Sequence, residues 1–225
     1  MTYTILGRCP RTARLGIGVA TYSLGVGGYC PVVKQGLAAL SSQAFANPGL
    51  RGPAVELLER GVSPEAVFDE LRRIDEFFDY RQFGIVTQGG HAACHTGDRT
   101  RAWAGHTVGD GFVAMGNVLE GKHVVEAIAG SFESTKSEEL EERLLQAIEA
   151  GCAAGGQGQL NERSAALIVT RTDASGLDID LRVDAHDAAV PELRRVWEAY
   201  KPYLPYYDLR SARPDKTPAQ QDWKT

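Results

Sequence analysis

The run Leu15–Tyr22 (LGIGVATY) constrains this 225-residue chain more than any other segment. Apolar residues occupy both parities, so a strand there is covered on both faces. Such a strand belongs in the middle of a layered structure. Gly16 and Gly18 weaken a strand by propensity, and here they indicate a backbone that something approaches closely. A second β-branched and apolar run, Thr2–Arg8, precedes it, and Cys9–Arg14 with Pro10 reads as a turn. Two strands joined by a tight turn predict an antiparallel hairpin at the start of the chain.

The remaining order is read from periodicity and punctuation. The glycine-rich stretch Leu24–Pro31 reads as a loop, Gly36–Ala44 as a third strand, and Asn47-Pro48-Gly49 as a turn. A helix over Gly52–Glu59 ends at Gly61. A second helix begins with Ser63 as cap and Pro64 at the first position, and carries the stripe Ala66, Val67, Leu71, Ile74. Strands follow over Arg81–Thr87, Ala92–His95, Arg101–Ala104 and Gly111–Met115. Helices are predicted over Val118–Phe132 and over Ser137–Ala150, the latter capped by Ser137 and stopped by Gly151. Ala165–Thr170 and Asp178–Val183 form another antiparallel pair, and Pro191–Tyr200 is the last helix. Blocks of strands alternating with blocks of helices argue for an α+β protein with antiparallel sheets covered by helices. The expected organisation is one domain over residues 1–200 and a C-terminal extension over 201–225, either a solvated arm or a strap on the body or on a second subunit.

Composition excludes several classes. Hydrophobic residues make up 43%, enough for a real core, and the net charge is −5 with Lys and Arg scattered among Asp and Glu. A nucleic-acid partner, which needs clustered cations, is therefore not expected. Nor is a membrane span or a signal peptide, so the expected location is the cytoplasm. Cys9, Cys30, Cys94 and Cys152 are far apart and form no CxxC pair, which fits reduced thiols. Gly25-Val26-Gly27-Gly28 lacks the Lys-Ser/Thr of a phosphate loop, and no GxSxG elbow occurs.

Thr2 is the sharpest chemical feature. Removal of Met1 is favoured by a small second residue, and would expose a hydroxyl and an α-amine on one residue. That amine has an ordinary pKa near 8 and can take the hydroxyl proton, directly or through a water. The plain alternative is an ordinary Met-Thr start, and a retained Met1 would lock the nitrogen in an amide. Asn47 and Asn117 are candidates to stabilise an oxyanion, although Asn117 after Gly116 can equally cap a helix. Arg81 can clamp a substrate carboxylate or pair with Asp79. Lys34 can lower the pKa of a nearby nucleophile or lie on the surface. His95 is either a pocket residue or a hydrogen-bonded core histidine. Trp103 and His106, in the run WAGH, either wall a pocket or belong to a core. His91 and His95 are spaced for zinc on a helix. Flanking glycines make the segment a strand, on which they stand about 13 Å apart, so no metal is expected.

Several runs together resemble one family. MTYTILGR, LGIGVAT, SSQAFANP, DYRQFGIV, HTG, WAGH, MGN, ERLLQAIEAGCAAGG, SAALIV and DLRVDAH are similar, in this order, to members of domain of unknown function 1028 (DUF1028). That family is usually placed among the N-terminal-nucleophile (Ntn) hydrolases. The resemblance covers the chain to about Tyr200. It implies a four-layer αββα sandwich of two antiparallel sheets, with Thr2 as nucleophile after loss of Met1. Lys34 is similar in position to the activating lysine of proteasome-like members. After Gly155-Gly156 the resemblance implies an acidic residue and then Arg-Gly-Arg-Gln, whereas this chain has Gln157 and later Asn161-Glu162-Arg163.

The expected activity is hydrolysis of a C–N bond in a small amide or carbamoyl metabolite. Thr2 attacks, Asn47 or Asn117 holds the oxyanion, and Lys34, Arg81, His95, Trp103 and His106 contact the substrate. No cofactor is expected, and the partners are a small molecule and further copies of the chain. A non-catalytic ligand-binding or scaffold role on the same fold is the alternative. A metal-dependent hydrolase around His95 and His106 is a third reading.

Overall fold

A computed structural model describes residues 1–171 and 178–224. The hairpin predicted at the start is present. Strands β1 (Thr2–Arg8) and β2 (Leu15–Thr21) pair antiparallel, with Arg8 opposite Leu15 and Thr2 opposite Thr21. A short helix α1 (Val26–Tyr29) follows, then strands β3 (Pro31–Lys34) and β4 (Ala38–Ala44). The glycine-rich segment read as a loop therefore holds one helical turn, and β3 is an edge strand too short to show a period.

Helices α2 (Arg51–Glu59) and α3 (Pro64–Ile74) come next, and Ser63 caps α3 by accepting from the Ala66 N–H. Phe68, not Ile74, joins Val67 and Leu71 on the buried face of α3, and Ile74 is 61% exposed. Strands β5 (Arg81–Thr87), β6 (Ala92–Thr96), β7 (Ala104–Gly109) and β8 (Phe112–Asn117) follow. The strand expected over Arg101–Ala104 starts instead at Ala104, where pairing with Asn117 begins. Its sequence, AGHTVG, is weakly apolar because β7 is an edge strand with His106 and Val108 exposed.

Helix α4 (Lys122–Ser134) begins four residues later than predicted. Val118 has φ 54°, which no helix tolerates, and the N–H groups of Leu119 and Glu120 are taken by the carbonyls of Trp103 and Gly156. Helix α5 (Leu140–Ala153) is preceded by Glu139 instead of by a Ser137 cap, and it runs through Gly151. That glycine serves close packing, since a Cβ there would lie 2.7 Å from Ile128 Cγ1. Strands β9 (Ser164–Val169) and β10 (Ile179–Val183) pair antiparallel. Helix α6 (Ala189–Tyr200) is not the last, because a 3-10 turn leads into α7 (Leu204–Ala212). The C-terminal segment lies on the body through an Arg171–Asp208 ion pair and a buried Tyr206, whose ring is 5.4 Å from that of Trp223.

The strands form two antiparallel sheets, ordered β10-β9-β2-β1-β8-β7 and β3-β4-β5-β6. Helices α4, α5 and α6 cover the outer face of the first through Tyr3, Ile5, Phe132, Leu144, Ile148 and Trp197. Helices α2 and α3 cover the outer face of the second through Leu58, Phe68, Leu71, Phe83 and Ile85. The sheets meet across Leu6, Ile17, Ala39, Val86, Val113 and Met115. The result is a four-layer αββα sandwich, the fold class expected from the sequence. Among the described residues no helix is long and apolar enough to cross a membrane, and Cys9, Cys30, Cys94 and Cys152 are free thiols.

Close approach explains the glycines of β2. A Cβ on Gly16 would stand 2.6 Å from Leu144 Cδ1, and one on Gly18 would stand 2.7 Å from Ile148 Cγ1 and 3.1 Å from the Leu144 carbonyl. Helix α5 thus lies directly on the glycine track. Gly18→Ala should destabilise the protein by about 1–3 kcal/mol through overpacking. Gly130→Ala, in α4 with nothing within 4 Å, should instead stabilise it by about 0.5–1 kcal/mol. Urea unfolding of the two variants checks the opposite signs.

Candidate functional site

Side chains alternate along β1. Tyr3 and Ile5 join the helix-facing core, while Leu6 and Thr4 face the second sheet. The inter-sheet layer therefore changes character along its length. At the Leu6 end it is dry. At the Thr2 end it holds Thr2, Thr4, Thr21, Gln43, Gln82 and Asn117, all at most 6% exposed. Buried polar groups at that depth are tolerable only when bonded to one another. Thr4 donates to Gln43 Oε1 at 2.6 Å, and Gln43 Nε2 donates to Gln82 Oε1 at 2.8 Å. Gln82 Nε2 reaches Thr96 Oγ1 at 2.9 Å and the carbonyls of Gly105 and Gly116 at 3.0 Å each. Asn117 Nδ2 donates to Gln82 Oε1 at 3.3 Å.

Above this layer sits the N-terminal end of β1, with Thr2 paired to Thr21 on one side and Asn117 on the other. Thr2 Oγ1 is 3.0 Å from Thr21 Oγ1. Thr21 spends its single hydroxyl hydrogen on the Met1 carbonyl, so Thr2 is the donor of the Thr2–Thr21 pair. The Met1 amine donates to Asn117 Oδ1 at 2.9 Å. Burial, aided by the charge of Arg101, lowers the pKa of that amine below its ordinary value of 8.0.

A pocket of about 120 Å³ opens here, lined by Met1, Ala44, Phe45, Arg101, Asn117 and Val118. Two of its walls have left-handed backbone, Ala44 at φ 70° and Val118 at φ 54°. Both are unfavourable for residues with a Cβ, the β-branched Val118 most of all, and such strain persists only where the surroundings enforce it.

The predicted residues divide. Thr2 and Asn117 are paired neighbours on β1 and β8, and Asn117 lines this pocket, though it presents its carbonyl to the Met1 amine while its NH₂ is turned to Gln82. Asn47 does not join them, because its Oδ1 accepts from the Gly49 N–H at 3.0 Å and caps a 3-10 turn. Lys34 is half exposed in an ion pair with Glu59, at the end of β3 remote from the Pro31–Ser41 pair. Arg81 binds Asp75, not Asp79, at 3.0 Å and also donates to the Phe45 carbonyl, so it braces the loop behind the pocket.

His95 lies on the helix-covered face of its sheet, stacked on Phe78 at 4.4 Å with Nε2 on the Phe78 carbonyl at 3.3 Å. Burial there holds its pKa below the ordinary value, as suits a neutral core histidine. His106 bonds Thr96 Oγ1 through Nδ1 at 2.8 Å and joins the Gln82 network from the rim. Trp103 lines the same outer groove as His106, and its carbonyl accepts from the Leu119 N–H at 3.1 Å. A metal centre on His95 and His106 is not supported. His95 is committed to Phe78, and no group of three or more His, Cys, Asp or Glu stands close enough to ligate an ion among the described residues.

Sequence reasoning missed Thr21, Gln43, Phe45 and Arg101, and gave Gln82 no role. Thr21 was within reach, since a hairpin that starts with Arg8 opposite Leu15 places Thr21 opposite Thr2. The glutamines carried no local signal, because their contacts run between sheets. The loop that departs from the expected acidic and arginine run is close by. Gln157 Oε1 accepts from the Tyr22 N–H at 2.9 Å, one residue beyond Thr21.

One solved structure agrees with this architecture. A crystal structure of a DUF1028 protein from Silicibacter pomeroyi is 26% identical, covers 89% of each chain and has a TM-score of 0.81. Anbu (ancestral beta-subunit) from Yersinia bercovieri is 11% identical over 88% of this chain and 93% of its own, with a TM-score of 0.43. No curated protein matches. The family described as "Family of unknown function (DUF1028)" matches residues 2–193, and the chain belongs to it.

Proposed function

We propose that the protein is an N-terminal-nucleophile amidohydrolase of the Ntn superfamily, acting on a C–N bond of a small amide or carbamoyl compound. The observation that carries this reading is the position of Thr2. Its hydroxyl is buried at the end of β1, beside the Thr21 hydroxyl and under a small pocket that Met1 lines. Loss of Met1 would enlarge that pocket and free an amine at the atom that now joins Met1 to Thr2. The Thr21 hydroxyl, which now donates to the Met1 carbonyl, would be released beside that amine.

In this reading the Thr2 amine takes the hydroxyl proton as Oγ1 attacks the scissile carbonyl carbon. The C–N bond then breaks, the leaving nitrogen takes the proton, and the acyl group remains as an ester on Thr2. Water, deprotonated by the same amine, hydrolyses the ester and regenerates the hydroxyl. Thr21 holds the Thr2 hydroxyl in line, and Asn117 Oδ1 holds the amine in place of Met1's. No metal or organic cofactor enters these steps.

Two outcomes follow first from the reading. Protein isolated from its own cells should lack Met1 by intact mass, and Thr2→Ala should lose all turnover on a panel of small amides. A retained Met1, or undiminished turnover in the variant, removes the proposal and leaves a ligand-binding role on the same fold.

Thr21→Val should lower kcat on the order of 10²-fold, while Thr21→Ser restores most of it. Equal rates for the two variants would show that the hydroxyl has no part. The amine must be neutral to act as base, so kcat/KM should rise with pH through one ionisation. Burial lowers the Met1 amine at this end of β1, and in this reading the Thr2 amine is held in the same buried surroundings. The midpoint should therefore lie below 8.0. A midpoint above 8.0 would contradict the assignment of the base.

A further inference from the structure

The walls of the pocket over Thr2 are mostly apolar, and Arg101 is the single charged side chain among its lining residues. The guanidinium carbon of Arg101 stands 5.1 Å from the centroid of the Phe45 ring. Stacking of this kind occupies the face of the guanidinium and leaves its edge of N–H donors free.

The neighbouring arginines are occupied. Arg81 is bound to Asp75 and to the Phe45 carbonyl, and Arg99 donates to the Tyr80 hydroxyl at 3.3 Å. Arg101 has no ion pair and no hydrogen bond among the described residues, and no carboxylate lines the pocket to neutralise it. The nearest acidic residue in sequence, Asp98, lines the separate groove of Trp103 and His106. The charge of Arg101 already reaches the base of the pocket, since it helps to depress the Met1 amine. An unpaired fork of donors at the mouth of a small apolar pocket suits a planar anion, which it can bind bidentately.

We infer that Arg101 is the specificity-determining residue of the site and that the substrates are small amides carrying a carboxylate. The carboxylate is gripped by the guanidinium edge while the amide carbonyl is presented to Thr2. This inference rests on Thr2 being the reacting residue, but the recognition step can be measured without turnover. Phe45 acts through Arg101 as a positioning residue, fixing the plane of the guanidinium.

The test uses a matched pair of probes, N-acetylglycine and N-acetylglycinamide, which differ in the carboxylate. Binding is measured by titration calorimetry on protein lacking Met1, in the Thr2→Ala background, where alanine still permits removal of Met1. N-acetylglycine should bind about tenfold or more tightly than the amide, as expected for a hydrogen-bonded charge pair, and added salt should erode the difference. In Thr2→Ala combined with Arg101→Gln the preference should vanish, and Arg101→Lys should restore only part of it. Arg101 is exposed, so these substitutions should leave the fold intact.

Equal binding of the two probes, a preference that survives Arg101→Gln, or no detectable binding of N-acetylglycine would each overturn the inference. Turnover separates it from the catalytic reading. If the preference follows Arg101 but Thr2→Ala hydrolyses amides as fast as the unaltered chain, the nucleophile is wrong and the carboxylate subsite stands.

Discussion

The architecture around the site depends on the buried side chain of Gln82. It lies between the sheets with no exposed surface and bonds Gln43 on β4, Thr96 on β6, the Gly105 carbonyl on β7, and Gly116 and Asn117 on β8. One amide thus ties strands of both sheets at a single point. An apolar side chain there would take away the acceptor of the Gln43 and Asn117 amides in this buried layer, at a cost of about 1–3 kcal/mol for each. The network also fixes the register of the sheets where a purely apolar contact would allow sliding. Asn117 inherits its orientation from Gln82 and turns its carbonyl toward the end of β1.

From that point the site follows by geometry. Pairing of β1 with β2 and β8 brings Thr21 and Asn117 to the two flanks of Thr2. The left-handed residues Ala44 and Val118 turn the chain away at the ends of β4 and β8, which opens the pocket instead of extending the sheets over it. The Gly155-Gly156-Gln157 loop closes the side near Tyr22. Gln157 in that loop is buried and bonded to Tyr22, while Arg101 is the charged side chain in the pocket wall. The Arg101 side chain in that wall is backed by the ring of Phe45.

Much of the fold was legible because it rests on local signals. The double-parity run of β2, the Ser63-Pro64 cap and the turn at Asn47-Pro48-Gly49 each decide a structure within a few residues. The glycines of β2 pointed correctly to a close approach to the backbone, which helix α5 makes. Failures arose where tertiary pairing outranked local pattern. Strand β7 has little apolar character because one edge faces solvent, and α4 starts late because Val118 is held in a conformation that no helix accepts. The site was legible only in part. Thr2 stood out by its chemistry, whereas Asn47, Lys34, Arg81 and His95 have the right side chains for a site but are engaged in structural contacts. Gln43 and Gln82 could not be read at all, since nothing near them in sequence reports a partner on another sheet.

The central proposal is that the hydroxyl of residue 2, beneath this pocket, is made reactive by its own nitrogen once Met1 is lost. Adduct mapping tests it most directly. The protein purified from its native cell is exposed to a β-lactone, and tandem mass spectrometry locates the acyl group. The account predicts a chain that begins at threonine and a single ester on that hydroxyl. A chain still bearing its methionine, or an acyl group found on any other residue, would contradict it.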